Sequence, residues 1–147
     1  MDIKEFLAPS NTLIDVRASD KIRLLQELAR RAAAVLDLEP EQISAEILKR
    51  EALGSTGTGG GVAIPHARIQ GLNKSFGVLA RLNKPIYFKA IDGRPVDLVF
   101  LLLLPANPAG QQLKALASVA RKLRDPACLR DLRSSSGAPS LYDVMTA

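Results

Sequence analysis

The side chain with the most chemical promise is His66, the single histidine in 147 residues. A neutral imidazole keeps one lone-pair nitrogen near pH 7, so it can attack phosphorus or take a proton without being buried. His66 follows Pro65, which fixes the preceding backbone and removes a donor. One ring N–H is expected to bond a backbone carbonyl, leaving the other nitrogen free. The histidine closes the run REALGSTGTGGGVAIPH, Arg50–His66, in which five glycines fall within the eight residues 54–61. Glycine costs entropy on folding, so such a run must gain something. The gain is either positive φ or backbone N–H groups open to a ligand, which in succession form an anion-binding nest. Gly57, Gly59, Gly60 and Gly61 are therefore candidate phosphate donors. Ser55 and Thr56 either add hydroxyls to the same anion or cap the loop. Arg50, sixteen residues before His66, either grips two phosphoryl oxygens through its guanidinium or compensates a helix dipole. Arg68 either adds positive field or faces solvent.

Several chemistries are excluded. The glycine run is not a nucleotide P-loop, because Gly59 is followed by Gly60 where that loop needs lysine. It is not a dinucleotide fingerprint either, since a strand follows where a helix is required. With one histidine and one cysteine, Cys128, no internal disulfide, structural zinc cluster or two-histidine device can form. Cys128, in an apolar context, is expected to pack.

The elements that must position His66 can be read from periodicity. Thr12–Val16 alternates as a strand. Ser19 or Asp20 caps a helix to about Leu36, with Ile22, Leu25, Ala29, Ala32 and Leu36 at helical spacing. Pro40 opens a second helix lined inside by Ile43, Ile47 and Leu48, and Gly54 stops it. Val62–Ile64 is a short strand. From Ser75 to Leu82, Phe76, Val78, Ala80 and Leu82 share a face, and a turn follows at Asp92–Pro95. The run from Val96 to Leu104 is nearly all apolar, as in a central strand covered on both sides. Gln111–Arg124 is amphipathic, with Leu113, Leu116, Ala117, Ala120 and Leu123 inward and Lys114, Arg121, Lys122 and Arg124 in water. Short helices follow at Ala127–Arg133 and Ser140–Met145. This order predicts an α/β protein with one mixed sheet and helices on both faces.

Length suits one domain over residues 1–147. The net charge is +5, unevenly spread. Residues 1–53 hold eight basic and ten acidic side chains, and residues 54–147 hold twelve and five. The basic half suggests an anionic partner. Nucleic acid is disfavoured by 4% aromatic content without tryptophan and by the lack of a helix-turn-helix signal. The start MDIKEFLAPS has no signal-peptide pattern, and the longest apolar stretch, 98–105, is too short to span a bilayer, so a cytoplasmic location without membrane insertion is expected. An apolar rim of Leu53, Val62, Ile64 and Ile69 is expected to dock a partner beside His66.

The run REALGSTGTGGGVAIPHARIQGL, with RLNKPIYFKAIDGRPVDLVFLLLLP further on, resembles the signature of the type-2 EIIA domains (mannitol/fructose class) of the bacterial phosphoenolpyruvate-dependent phosphotransferase system. The likeness covers essentially the whole chain and is greatest to the standalone nitrogen-regulatory EIIA proteins. It implies a three-layer α/β/α sandwich. It also implies that His66 accepts a phosphoryl group from a phosphohistidine on a small phosphocarrier protein, that Arg50 neutralises the phosphoryl oxygens, and that no cofactor or metal takes part. Regulatory members signal to targets such as a potassium transporter or a sensor kinase. One departure stands out. Gln112 occupies the position where many members carry a second histidine, and an amide can donate one hydrogen bond but carries no charge. The alternatives are a regulatory binding module with weakened or lost phosphoryl transfer, and a sugar-transport EIIA. Oligomeric state is not legible.

Overall fold

The computed structural model describes residues 1–107 and 111–147, excluding the side chains of Gln111 and Gln112. In chain order the strands and helices are β1 (Thr12–Val16), α1 (Lys21–Leu36), α2 (Pro40–Leu53), β2 (Gly57–Gly59), β3 (Val62–Ala63), β4 (His66–Ile69), β5 (Phe76–Ile86), β6 (Val96–Pro105), α3 (Gln111–Lys122), α4 (Pro126–Ser134) and α5 (Ala138–Thr146). Two short 3-10 turns, Ile3–Glu5 and Pro9–Asn11, precede them. Leu98–Leu104 has no polar side chain and needs cover on both faces, and all seven residues are buried in β6. β6 pairs with β5 antiparallel and with β3 and β4 parallel, while β1 joins the far side of β5 and β2 the far side of β3. The expected mixed sheet is therefore present, with six strands.

Side-chain alternation divides the core in two. Val78, Ala80 and Leu82 of β5, with Val99, Leu101 and Leu103 of β6, pack under α1 and α2. Leu79 and Leu98, Phe100, Leu102 and Leu104 face the other way, under α3, α4 and α5. The helices begin as their caps dictate. Asp20 accepts from the Arg23 N–H at 2.8 Å, Pro40 and Pro126 sit in first turns, and Asp125 accepts from the Ala127 N–H at 3.1 Å. Arg81 of β5 donates to the carbonyls of Leu132 and Ser135 at 2.9 and 2.8 Å, placing a cation at the C-terminus of α4. No helix among the described residues is long and apolar enough to cross a membrane.

Three sequence expectations change. The glycine run, expected as a loop, contains β2. The Ser75–Leu82 strand continues to Ile86 despite Pro85, because residues 83–85 are exposed and the β5–β6 register shifts there. In α3 the buried stripe is Ala115, Ser118, Val119 and Leu123, whereas Leu113 and Ala117 are exposed. Ser118 reads as polar, yet its hydroxyl donates to the Met1 carbonyl at 2.8 Å, so it can lie inward.

Candidate functional site

His66 owes its place to an interrupted strand. Val62 lies opposite Leu98 and His66 opposite Leu102, so β3 and β4 share one register along β6, broken only at Ile64 and Pro65. Ile64 N–H donates to the Thr56 carbonyl at 3.0 Å, and the Pro65 carbonyl accepts from Leu102 N–H at 2.9 Å. Val62 and Ile64 point into the core under α3, α4 and α5. Strand alternation sends His66 to that same face, where it is half-buried and shares a cleft with the start of α3.

Imidazole Nδ1 lies 2.9 Å from the Ile64 carbonyl oxygen. A carbonyl only accepts, so Nδ1 carries the proton and Nε2 keeps its lone pair. This is the arrangement expected from the sequence. His66 opens on a cleft of about 360 Å³ formed by α2, β4 and the start of α3. Helix α2 contributes Glu46, Lys49, Arg50 and Leu53, β4 contributes Ala67 and Arg68, and α3 contributes Leu113 and Leu116, with Leu104 as part of the floor. Arg50 donates one guanidinium N–H to the Gly54 carbonyl at 2.8 Å and so caps its own helix.

The structure brings His66, Arg50 and Arg68 together. It does not bring the glycine run. Ser55, Thr56, Gly57, Gly59, Gly60 and Gly61 all lie outside the lining of the cleft, and the polar groups of Ser55 and Thr56 and the N–H groups of Gly57 and Gly60 are engaged elsewhere. Ser55 Oγ donates to the Phe88 carbonyl at 2.7 Å and accepts from Gly57 N–H at 3.1 Å. Thr56 is buried with its N–H and hydroxyl both on the Glu51 carboxylate. Gly57 packs so closely on Ala90 that a Cβ would sit 2.7 Å from the Ala90 Cβ. Gly59, Gly60 and Gly61 all have positive φ and make the turn between β2 and β3. Gly60 N–H donates to Asp92 at 2.9 Å, its carbonyl accepts from Arg133 at 2.6 Å, and Arg133 is held in turn by a two-pronged pair with Asp97. The glycines thus answer the need for positive φ and close approach. Among the described residues, the cleft on which His66 opens is lined by none of these six.

The rim also differs from expectation. Leu53 is 84% exposed and Leu113 is 73% exposed, and they flank the cleft. Val62, Ile64 and Ile69, expected on the rim, are core residues. Sequence reasoning missed Glu46, which the i,i+4 spacing places on the same helix face as Arg50, while Lys49, directly before Arg50 in the sequence, also lines the cleft. Cys128 is buried, and burial raises its thiol pKa. Gln112 belongs to the first turn of α3, but its side chain lies outside the described residues.

The Asp92 anchor has a pH signature. The N–H groups of Gly60 and then Arg94 hold its carboxyl below the ordinary value of 3.8. A lowered native pKa stabilises the fold fully above the ordinary value, and that contribution is lost as pH falls through the lower native one. The Gly60 amide shift in an acid titration is expected to turn at a midpoint below 3.8. A midpoint at or above that value contradicts the anchor.

The family model described as "Phosphoenolpyruvate-dependent sugar phosphotransferase system, EIIA 2" matches residues 5–147. The chain belongs to this family. A nitrogen regulatory protein of Bradyrhizobium diazoefficiens is 44% identical over 145 residues, covering 99% of this chain and 95% of that protein. A nitrogen regulatory protein of Escherichia coli is 40% identical, covering 89% and 81%. The crystal structure of the nitrogen regulatory protein IIA-Ntr from Neisseria meningitidis superposes with a TM-score of 0.93 at 35% identity, over 98% of this chain and 99% of that one. The mannitol IIA of Escherichia coli shares the fold, with a TM-score of 0.78 at 17% identity over 95% and 99%. Among EIIA proteins this chain is therefore more similar to these nitrogen-regulatory members than to that mannitol member.

Proposed function

We propose that this EIIA protein is a cytoplasmic phosphoryl-carrying regulator. His66 takes a phosphoryl group from a phosphohistidine on a small phosphocarrier protein, and its phosphorylation state decides which regulatory targets bind, in nitrogen- or potassium-related control. Candidate targets are a potassium transporter or a sensor kinase. One observation carries the reading: the Nδ1 proton of His66 is committed to the Ile64 carbonyl, and the ring lines a cleft shared with Arg50.

The reaction follows from that geometry. The Nε2 lone pair attacks phosphorus, the N–P bond of the donor breaks, and a new N–P bond forms on His66. The donor nitrogen recovers its electron pair, and the proton stays on Nδ1, donated to the Ile64 carbonyl. Positioning and charge neutralisation supply most of the catalysis in such transfers. Arg50 spends one of its five N–H donors on Gly54 and has others for the phosphoryl oxygens. Lys49 and Arg68 add positive field at the mouth. Leu53 and Leu113 give the partner an apolar surface that excludes water from the transfer.

Incubation with phosphoenolpyruvate and purified phosphocarrier proteins of the system is expected to add the mass of one phosphoryl group, removed by acid. No addition with cognate carriers favours the alternative of a binding module whose transfer is lost, with Gln112 in place of a second histidine. Arg50→Ala is expected to slow single-turnover transfer by at least about tenfold, since one donor to a developing anion is worth that much or more. Arg50→Lys is expected to fall between, keeping charge without the planar fork. An unchanged rate removes Arg50 from the site.

A further inference from the structure

A carboxylate stands in the cleft where a phosphoryl anion is to be held. Glu46 lines the same cavity as His66, Lys49 and Arg50. It lies one helical turn before Arg50, at the i,i+4 spacing where an acidic and a basic side chain usually pair. They do not pair here. Arg50 reaches toward the C-terminus of α2, to the Gly54 carbonyl, and no ion pair among the described residues includes Glu46. Helix α2 therefore brings two cations and one carboxylate that makes no ion pair among the described residues to the cleft of a single imidazole. A site built only to bind a phosphoryl group tightly has no use for that anion.

We propose that Glu46 sets the phosphoryl-transfer potential of His66, keeping the phosphorylated form labile enough to hand its cargo on. This rests on the reading of His66 as the acceptor. A phosphoryl group on Nε2 brings up to about two negative charges into the cleft. The Glu46 carboxylate repels them in the ground state. As the group leaves, the Nε2–P bond breaks, its electron pair returns to Nε2, and the PO3 unit moves to the nitrogen of the acceptor and away from Glu46. The proton remains on Nδ1, hydrogen-bonded to the Ile64 carbonyl. Repulsion is relieved along this path, so release speeds up. Glu46 forms no bond and acts only through its charge. In an open, watery cleft the effect is roughly fivefold, and salt screens it.

The test uses phosphoramidate as phosphoryl donor and free imidazole as acceptor, followed by phosphorus NMR on the wild type, Glu46→Gln, Glu46→Asp and Glu41→Gln. Glu41 is exposed in the first turn of the same helix, outside the cleft. Glu46→Gln is expected to hold its phosphoryl group roughly fivefold longer at low salt, with the difference collapsing in molar salt. Glu46→Asp is expected to restore fast release, and Glu41→Gln to match the wild type. Wild type that takes no acid-labile phosphate on His66 overturns the functional reading itself. Wild type that labels normally while Glu46→Gln releases at the same rate, or differs equally at all salt concentrations, overturns only the role of Glu46.

Discussion

His66→Ala is expected to take up no acid-labile phosphate under conditions that label the wild type fully. The effect is all-or-none because the sequence holds no second imidazole to substitute. The variant is expected to fold. The ring is half-buried and makes one hydrogen bond to the protein, to Ile64, and losing such a bond costs about 1 kcal/mol. Intact mass before and after acid, beside a thermal melt, reads both quantities. Labelling that survives the substitution moves the acceptor to another residue and removes the basis of the mechanism.

The largest expected loss of stability is at Glu51. Its side chain is 5% exposed, and its Oε2 meets Lys21 Nζ at 2.7 Å and the Thr56 N–H at 3.2 Å. The Thr56 hydroxyl donates to the other oxygen. Lys21 donates also to the Phe88 carbonyl at 3.2 Å and lies 4.5 Å from the centre of the Phe88 ring. Ser55 bonds the same carbonyl. This one carboxylate thus ties α1, the end of α2, the glycine run and the β5–β6 connection together. Glu51→Ala leaves the buried N–H and hydroxyl of Thr56 without an acceptor and Lys21 without a counter-charge. Breaking a buried pair from one side costs about 3–5 kcal/mol. Lys21 keeps 18% exposure, so the lower end applies, about 3 kcal/mol, or a fall in Tm on the order of 10 °C. Glu51→Gln retains an acceptor and is expected to lose less. A Glu51→Ala melt within about 2 °C of wild type contradicts the network. Below its melting point the variant is expected to accept phosphate still, because Glu51 does not line the cleft.

That separation bears on how the glycine run is read. Its composition announces a special backbone, and the backbone is special, with positive φ at Gly59, Gly60 and Gly61. Composition does not say whether amides so exposed meet a ligand or the protein. Here Asp92 of the β5–β6 turn, Arg133 of α4, Asp97 of β6 and Glu51 of α2 all bond the run. The same holds for the basic second half of the chain. Arg81 and Arg133 are spent on α4 and on the turn, while two of the three cations at the cleft, Lys49 and Arg50, come from the acidic first half.

What the sequence by itself determined is whatever depends on neighbours along the chain. That covers the strand at Thr12–Val16, the helix starts at Ser19 or Asp20 and at Pro40, the stop at Gly54, the two-sided burial of β6, and an imidazole pinned behind a proline. Each follows from local periodicity or a single turn of backbone. Only the tertiary structure decided which groups meet His66. Side chains on α2, β4 and α3 reach one cleft because β3 and β4 share a register along β6, and no spacing in the sequence encodes that pairing. Leu113 is exposed at the cleft rather than packed for the same reason. An amphipathic stripe gives the face of a helix, but where that helix overhangs the sheet is settled by packing at a distance.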